Sequence, residues 1–377
     1  MDILLRLLIC AISLFSVQTL YAAEPPVSPE RHAELRKIAM NSDAELMDRI
    51  LALKEMYRHM LNDDGSVPSR IVCIWDPIGK NGPIYAAAQD QVTRLLEWDI
   101  YVDLRVYTNE AVLTEDFKAG QCDAALMTGM RARSFNKYTG TLDAIGALPE
   151  TRQLKLLFNA ITQPKNSEQM VSGNYVVMGY APAGAAYIFV NDRSITSLNK
   201  AAGKRVAVMD YDPIQAEMVQ NIGANPVPVS IVSAGPKFNN HAVDVLPAPL
   251  GAYQVFELHK GLGDNGGIIN YPFTQLTVQM IGKLDRIPNE VAQLAREEFV
   301  NNFDRIIERV NSLSGDIPEH LWIEIPVDEK AEYQTMMQQA RIALRQHDYY
   351  DPTMLTLQRK VRCRFEPDHF ECANPVE

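Results

Sequence analysis

Residues 70–128 alternate short β-rich runs with helical runs, and that order limits the fold more than any other feature. The run RIVCIW from Arg70 reads as a strand, 83–97 as a helix with Pro83 at its start, and 100–107 as a second, alternating strand. A helix capped by Thr108 continues to Lys118, Gly120 marks its end, and CDAALMT from Cys122 is a third strand. A β-α-β-α-β order with connections this short makes a parallel sheet with helices on its faces. Ligands of such sheets sit at the carboxyl ends of the strands. Here those ends are the loops 76–82, 107–110 and 128–140.

A second α/β unit follows, with strands at 175–178, 186–190, 204–209 and 226–231. Asp212 as cap, Pro213 at the first helical position and a reciprocal Gln215 open a helix that runs to Asn221. Ahead of both units, residues 29–61 read as two short helices broken at 41–43, with Ser42 or Asp43 capping the second. From 288 the chain turns helical, one apolar face running from Val291 to Val310, and a second long helix spans 329–347. At 377 residues the chain is too long for one small core, so two lobes or domains are expected. The net charge of −11 is the opposite of what a nucleic-acid partner requires.

The first 23 residues form an address. An apolar run at 7–17 leads to Gln18 and Thr19 and then to the small residues Ala22 and Ala23, the order of a cleaved secretory signal. At about 11 residues the run is too short to span a bilayer, which takes roughly 20. Later residues contain no apolar run of spanning length, so the expected mature chain has no transmembrane segment and is exported to the periplasm. Removing Cys10 with the leader leaves Cys73, Cys122, Cys363 and Cys372. An even number in an exported chain points to disulfides, with three possible connectivities. Cys363 with Cys372, close across a turn, and Cys73 with Cys122 form the preferred set. A metal site on Cys363, His369 and Cys372 is the alternative, but the spacing matches no standard zinc pattern. No cofactor is expected.

Residues 195–260 carry a family likeness. An I-x-S-L entry at Ile195 leads to the strand GKRVAV from Gly203, a helix, and GANPVPV from Gly223. The V-D of Val243 and Asp244 then precedes a strand and PAPL from Pro247. Upstream, FKAGQCD from Phe117 and GALP from Gly146 continue the pattern. Over roughly residues 70–310 the chain resembles the extracytoplasmic solute-binding proteins of tripartite ATP-independent periplasmic (TRAP) transporters. It looks like an outlying branch, similar to solute-binding proteins that carry an efflux label for aminoglycoside resistance. That label has little mechanistic weight, since an exported soluble chain is not itself a pump. The resemblance implies an α/β fold of the two-lobed type II periplasmic-binding class that closes on a small solute, with extra N-terminal helices and a helical C-terminal region. In that family an arginine two strand positions beyond Lys-x clamps a ligand carboxylate in a bidentate pair. Ala207 stands at that position here, and Arg205 lies one alternation earlier on the same strand face. GYAPAGA from Gly179 also lacks the family's second arginine, so a carboxylate ligand is not inherited.

The expected divisions are a signal at 1–23, a helical segment at 24–67 and lobe 1 at 68–180 with a return segment near 248–285. Lobe 2 follows at 181–247, and a helical region with a disulfide-bearing tail at 286–377. The lobes are expected to be joined by strands crossing near 178–180 and 246–250. Ligand-binding candidates are Trp75, Asp76 and Lys80 in the first strand-end loop, Arg131 and Arg133 after the third strand, and Tyr180, Asp210, Tyr211 and Tyr271. Each has a plain structural alternative: Trp75 as core, the arginines as solvated loop charge, Asp212 as a helix cap, and the tyrosines as packed rings with satisfied hydroxyls. GLGDNG from Gly261 matches G-x-G-x-x-G but follows a helix, which rejects a dinucleotide site. No nucleophile and base emerge. The expected function is non-catalytic capture of a small polar solute between the lobes for a membrane transporter. A non-catalytic envelope interaction module, docking through its extra helices, and an exported enzyme are the alternatives.

Overall fold

The computed structural model describes residues 27–196, 199–315 and 317–377, so the leader expected at 1–23 lies outside the described residues. The chain divides into a unit up to Pro68 and a unit from Ser69 to Glu377. In the first, helices Pro29–Ala39 and Leu46–Met56 are paired by Arg49, whose Nε donates to Ala39 O at 2.9 Å, and by Arg31, whose Nε meets Glu55 Oε1 at 2.7 Å. Ser28 caps the first helix by accepting from Arg31 N. The second helix begins after Glu45, without a cap from Ser42 or Asp43. Asn41 takes the amide of Asp43 for its own turn, which moves the helix start three residues on.

The second unit is built on one mixed sheet. Its strands are β1 (Arg70–Trp75), β2 (Val102–Tyr107), β3 (Ala124–Thr128), β4 (Val171–Ser172), β5 (Tyr175–Val190), β6 (Arg205–Met209), β7 (Asn225–Val229), β8 (Val245–Pro249), β9 (Gly267–Lys283) and β10 (Trp322–Ile323). The order is β2-β1-β3-β9-β5-β8-β6-β7, with β10 on β9 and β4 on β5. β1 is parallel to β2 and β3, and β6 to β7 and β8, as the alternating pattern requires. Asn109 rather than Thr108 caps the helix Glu110–Lys118, because its side chain reaches the amides of Ala111 and Val112.

The runs expected at 175–178 and 186–190 are the two ends of one strand, β5. It pairs with β9 along nearly its whole length, with register shifts at Val177/Gly179, Pro182/Gly184 and Ala186/Ile188. The far half of β5 pairs with β8, while the far half of β9 pairs with β3. These two strands therefore cross between a first lobe around β1–β3 and a second around β6–β8. The second crossing is thus β9 and not residues 246–250, of which 246–249 belong to β8 inside lobe 2. β8 is held mainly by antiparallel pairing to β5. Each lobe has its own core, one around Phe117, Phe158 and Met127, the other around Phe189, Phe238 and Ile268.

The residues expected on one apolar face from Val291 to Val310 are divided between two abutting helices, Asn289–Asn301 and Phe303–Leu313, interrupted at Asn302. Val291 is exposed, and the first helix buries Ala292, Gln293, Arg296 and Val300 instead. Arg296, fully buried in the first, donates from Nη1 to Val177 O at 2.6 Å beside the first shift of β5. A side chain at neighbouring Gly179 would put its Cβ 2.1 Å from the Phe299 ring, so the helix rests directly on the crossing. The long helix Val327–Gln346 touches both lobes: Tyr333 Oη donates to Thr196 O, and Arg341 Nη1 donates to Ile145 O at 2.9 Å. Cys73–Cys122 and Cys363–Cys372 are disulfides, the preferred pairing, which leaves Cys363 and Cys372 unable to serve a metal. Among the described residues no group of three metal-ligating side chains converges, and no helix is long and apolar enough to cross a membrane.

Candidate ligand site between the two lobes

The carboxyl ends of β1–β3 supply one wall. Thr128 closes β3 and caps the short helix Gly129–Ala132, its hydroxyl accepting from Arg131 N. That turn aims Arg131 and Arg133 at lobe 2. Glu110 opens the helix after β2 and is buried, with Oε1 accepting from Thr128 N at 2.7 Å. Its Oε2 lies 3.6 Å from Arg131 Nε, and neither of these buried atoms has a hydrogen-bond partner. Burial pushes the Glu110 carboxyl above its ordinary range, against the pull of the Thr128 amide and Arg131. Behind the turn, Asp143 Oδ1 accepts from Thr277 Oγ1 of the crossing strand β9 at 2.5 Å, and Oδ2 has no partner. Desolvation raises this carboxyl to about 7. Gly129 permits the approach: a Cβ there would lie 2.2 Å from Thr277 Oγ1.

The opposite wall is the end of β6. Tyr211 lies flat against the Arg131 guanidinium, whose central carbon is 3.4 Å from the ring centroid. The Tyr211 hydroxyl is buried without a partner, and burial lifts its ionisation well above the ordinary phenol value. Asp212 caps the helix Pro213–Asn221 by accepting from Gln215 N at 3.2 Å. Its other oxygen takes Gln215 Nε2 at 3.0 Å, the hydroxyl of Tyr349, and an ion pair with Arg133 Nη1 at 3.5 Å. Arg131 and Arg133 therefore both reach across from lobe 1 to consecutive residues of lobe 2.

Several sequence candidates sit elsewhere. The Asp76 carboxylate is fully buried and accepts from the amides of Ile78, Ile84 and Tyr85, so it fixes the start of the next helix. Lys80 and Asp210 are exposed. Tyr180 is packed against Phe158 in the lobe-1 core, its hydroxyl paired with Thr162. Tyr271, on β9, faces the Tyr333 ring at 5.5 Å. Trp75 is core, as its structural alternative held, though its buried Nε1 has no partner. Ala207 is a buried member of the lobe-2 core, and Arg205 turns outward into a bidentate pair with Asp244, at 3.0 and 2.6 Å. No arginine stands at the clamp position.

Sequence reasoning missed Glu110, Asp143 and Tyr349. Glu110 lies in a loop already marked as a strand end, so an acid opening the following helix was the available signal. The other two come from segments distant in sequence and carried none. The assembled groups offer donors and acceptors of both signs, a set suited to holding a polar molecule.

The family model described as Solute-binding protein AdeT 1/2 matches residues 98–377. A protein of Acinetobacter baumannii described as Probable solute-binding protein AdeT1 is 41% identical over 80% of this chain and 99% of its own. A second from that organism, Probable solute-binding protein AdeT2, is 27% identical over 62% of this chain and 98% of its own. Among solved structures, the TRAP periplasmic solute-binding protein of Desulfovibrio salexigens with bound orotic acid superposes with a TM-score of 0.62. It is 13% identical and covers 78% of this chain and 99% of its own. The one from Chromohalobacter salexigens with bound D-glucuronate gives 0.60 at 13% identity, covering 78% and 99%. Both are the fold expected from the sequence, a two-lobed α/β periplasmic-binding architecture.

Proposed function

The chain belongs to the AdeT 1/2 family of solute-binding proteins, and from that premise we propose that it captures a small polar solute where Arg131 and Glu110 of lobe 1 face Tyr211 of lobe 2. The observation that carries the reading is the set of buried, unpartnered polar atoms at this one place: Glu110 Oε2, Arg131 Nε and the Tyr211 hydroxyl. Buried polar atoms are normally satisfied, and leaving one unpaired costs about 1–3 kcal/mol. A solute group that both donates and accepts would satisfy all three. Contact with both lobes is what lets a solute favour the closed arrangement over an open one.

The solved TRAP proteins named above hold organic acids. Here Ala207 stands where the family's clamping arginine is expected, and each cleft arginine already has a carboxylate beside it. The solute is therefore one matched by paired charges and hydroxyl groups rather than by a dedicated carboxylate clamp. The reading extends to the rest of the pathway. Residues 1–23 are removed on export to the periplasm, the chain acts without catalysis, and a membrane transporter accepts the solute from the closed form.

A thermal-shift panel of small acids, sugars and amines, run on protein refolded from denaturant, tests the capture. At least one class is expected to raise the melting temperature in wild type and not in Arg131→Ala. A protein that no class stabilises points instead to the envelope interaction module. N-terminal sequencing of the exported chain should begin at Glu24.

A further inference from the structure

Tyr349 lies in the C-terminal helical region, 137 residues from the Asp212 carboxylate that its hydroxyl meets. Its neighbours bind that stretch to lobe 1. Asp348 Oδ1 pairs with Lys137 Nζ, the Tyr350 hydroxyl accepts from Ile145 N at 3.2 Å, and Asp351 N donates to Thr141 Oγ1 at 2.9 Å. Gln358, on the helix Pro352–Phe365, adds two bonds from Nε2 to Thr141 O and Leu142 O, at 3.0 and 3.1 Å. Tyr349 is thus carried by lobe 1, while Asp212 belongs to lobe 2.

Arg133 completes the contact. Its guanidinium lies over the Tyr349 ring at 3.9 Å, sits 3.5 Å from Asp212 Oδ2, and is held from behind by Gly140 O at 3.4 Å from Nε. Burial opposes the Arg133 charge, but the two phenol rings and the Asp212 carboxylate outweigh it. One carboxylate of lobe 2 therefore receives both a phenol hydroxyl and a cation from lobe 1.

We propose that Tyr349 is a latch residue: with Arg133 it grips Asp212 across the cleft and holds the two lobes closed, beside and apart from the Glu110, Arg131 and Tyr211 subsite. The inference rests on the two-lobed reading but needs no solute. Opening the lobes must break the Tyr349 and Arg133 contacts together. It leaves the Asp212 cap of its own helix intact, because Gln215 moves with Asp212.

The test is an inter-lobe distance. Spin labels at Leu96→Cys in lobe 1 and Val232→Cys in lobe 2 occupy exposed positions. The cysteines at 73, 122, 363 and 372 are disulfide-bonded and do not label, and Cys10 is removed with the leader or replaced by serine. Tyr349→Phe keeps the ring under Arg133 and removes the hydroxyl, so the closed-to-open ratio is expected to fall about tenfold, as for a hydrogen bond to a charged group. Arg133→Gln should move the distances the same way. Tyr350→Phe is the control: it removes a bond within lobe 1 and should lower the melting temperature without opening the lobes. An unchanged distance distribution in Tyr349→Phe overturns the latch, and so does equal opening in Tyr350→Phe. Solute capture would stand in either case.

Discussion

In the large unit the pair Arg341 and Arg362 is buried and the pair Arg131 and Arg133 is partly buried, and the two are satisfied in different ways. Arg341 and Arg362 share Glu371 and Glu377 in the tail, with Arg341 Nη2 2.6 Å from Glu371 and Arg362 Nη2 2.8 Å from Glu377. Both also donate to backbone carbonyls of one segment of lobe 1, at Ile145 and Ala147. Arg131 and Arg133 instead have partners on the opposite lobe, and around Arg131 buried atoms are left without bonds. The tail pair lies where nothing has to move. The cleft pair lies where something must enter and leave. A charge network confined to the tail and one segment of lobe 1 fixes structure, although Arg362 Nε too is left without a bond, whereas one divided between two bodies is suited to answering a ligand.

The sharpest break of this contrast is in the tail. Glu371→Ala leaves Arg341 and Arg362 short of a shared carboxylate, and removing one member of a buried ion pair costs about 3–5 kcal/mol. Denaturant unfolding should show that loss. Next is the Cys73–Cys122 bond, which closes a 49-residue separation inside the lobe-1 core. Replacing both cysteines with alanine should lower unfolding stability by about 2–4 kcal/mol.

The cleft should respond oppositely. Tyr211→Phe removes a buried, unpaired hydroxyl, so unfolding stability should be unchanged or slightly higher while affinity for the captured solute falls about tenfold, or about 1.4 kcal/mol. Equal losses of stability in the cleft and tail variants would erase the distinction.

Asp143 gives a smaller, pH-dependent effect. Its folded value, about 7, lies above the ordinary 3.8, so between these the folded chain holds the proton more tightly than the unfolded one. The stability from this group is fully present below pH 3.8 and is lost as pH rises towards 7. Glu110, shifted the same way by burial, adds to that slope. Melting curves from pH 4 to 7.5 should decline less steeply in Asp143→Asn than in wild type. The smallest effect belongs to Arg205→Ala, which should leave solute affinity unchanged because that arginine is turned towards Asp244.

Local order was legible in the sequence where local physics sets it. The parallel β-α-β units, the Asp212 cap with Pro213 and the close Cys363–Cys372 pair follow from spacing and residue type, whereas the even cysteine count by itself left three connectivities open. The long crossing strands were not legible, because Pro182 and Gly184 look like a break and only pairing with β9 carries β5 through them. The same limit divides the site. Arg131, Arg133 and Tyr211 follow strands and could be placed by that rule, whereas Tyr180 went to the core because a tyrosine on a crossing strand can face either way. Tyr349 reaches Asp212 only through tertiary packing, which leaves no periodicity to read.

Native mass spectrometry of the protein purified from the periplasm, followed by denaturation and identification of what is released, tests the central claim most directly. The account predicts one small polar molecule per wild-type chain and its loss from Arg131→Ala that still melts cooperatively. A wild-type protein carrying nothing, or an Arg131→Ala protein retaining the same molecule at full occupancy, would contradict it.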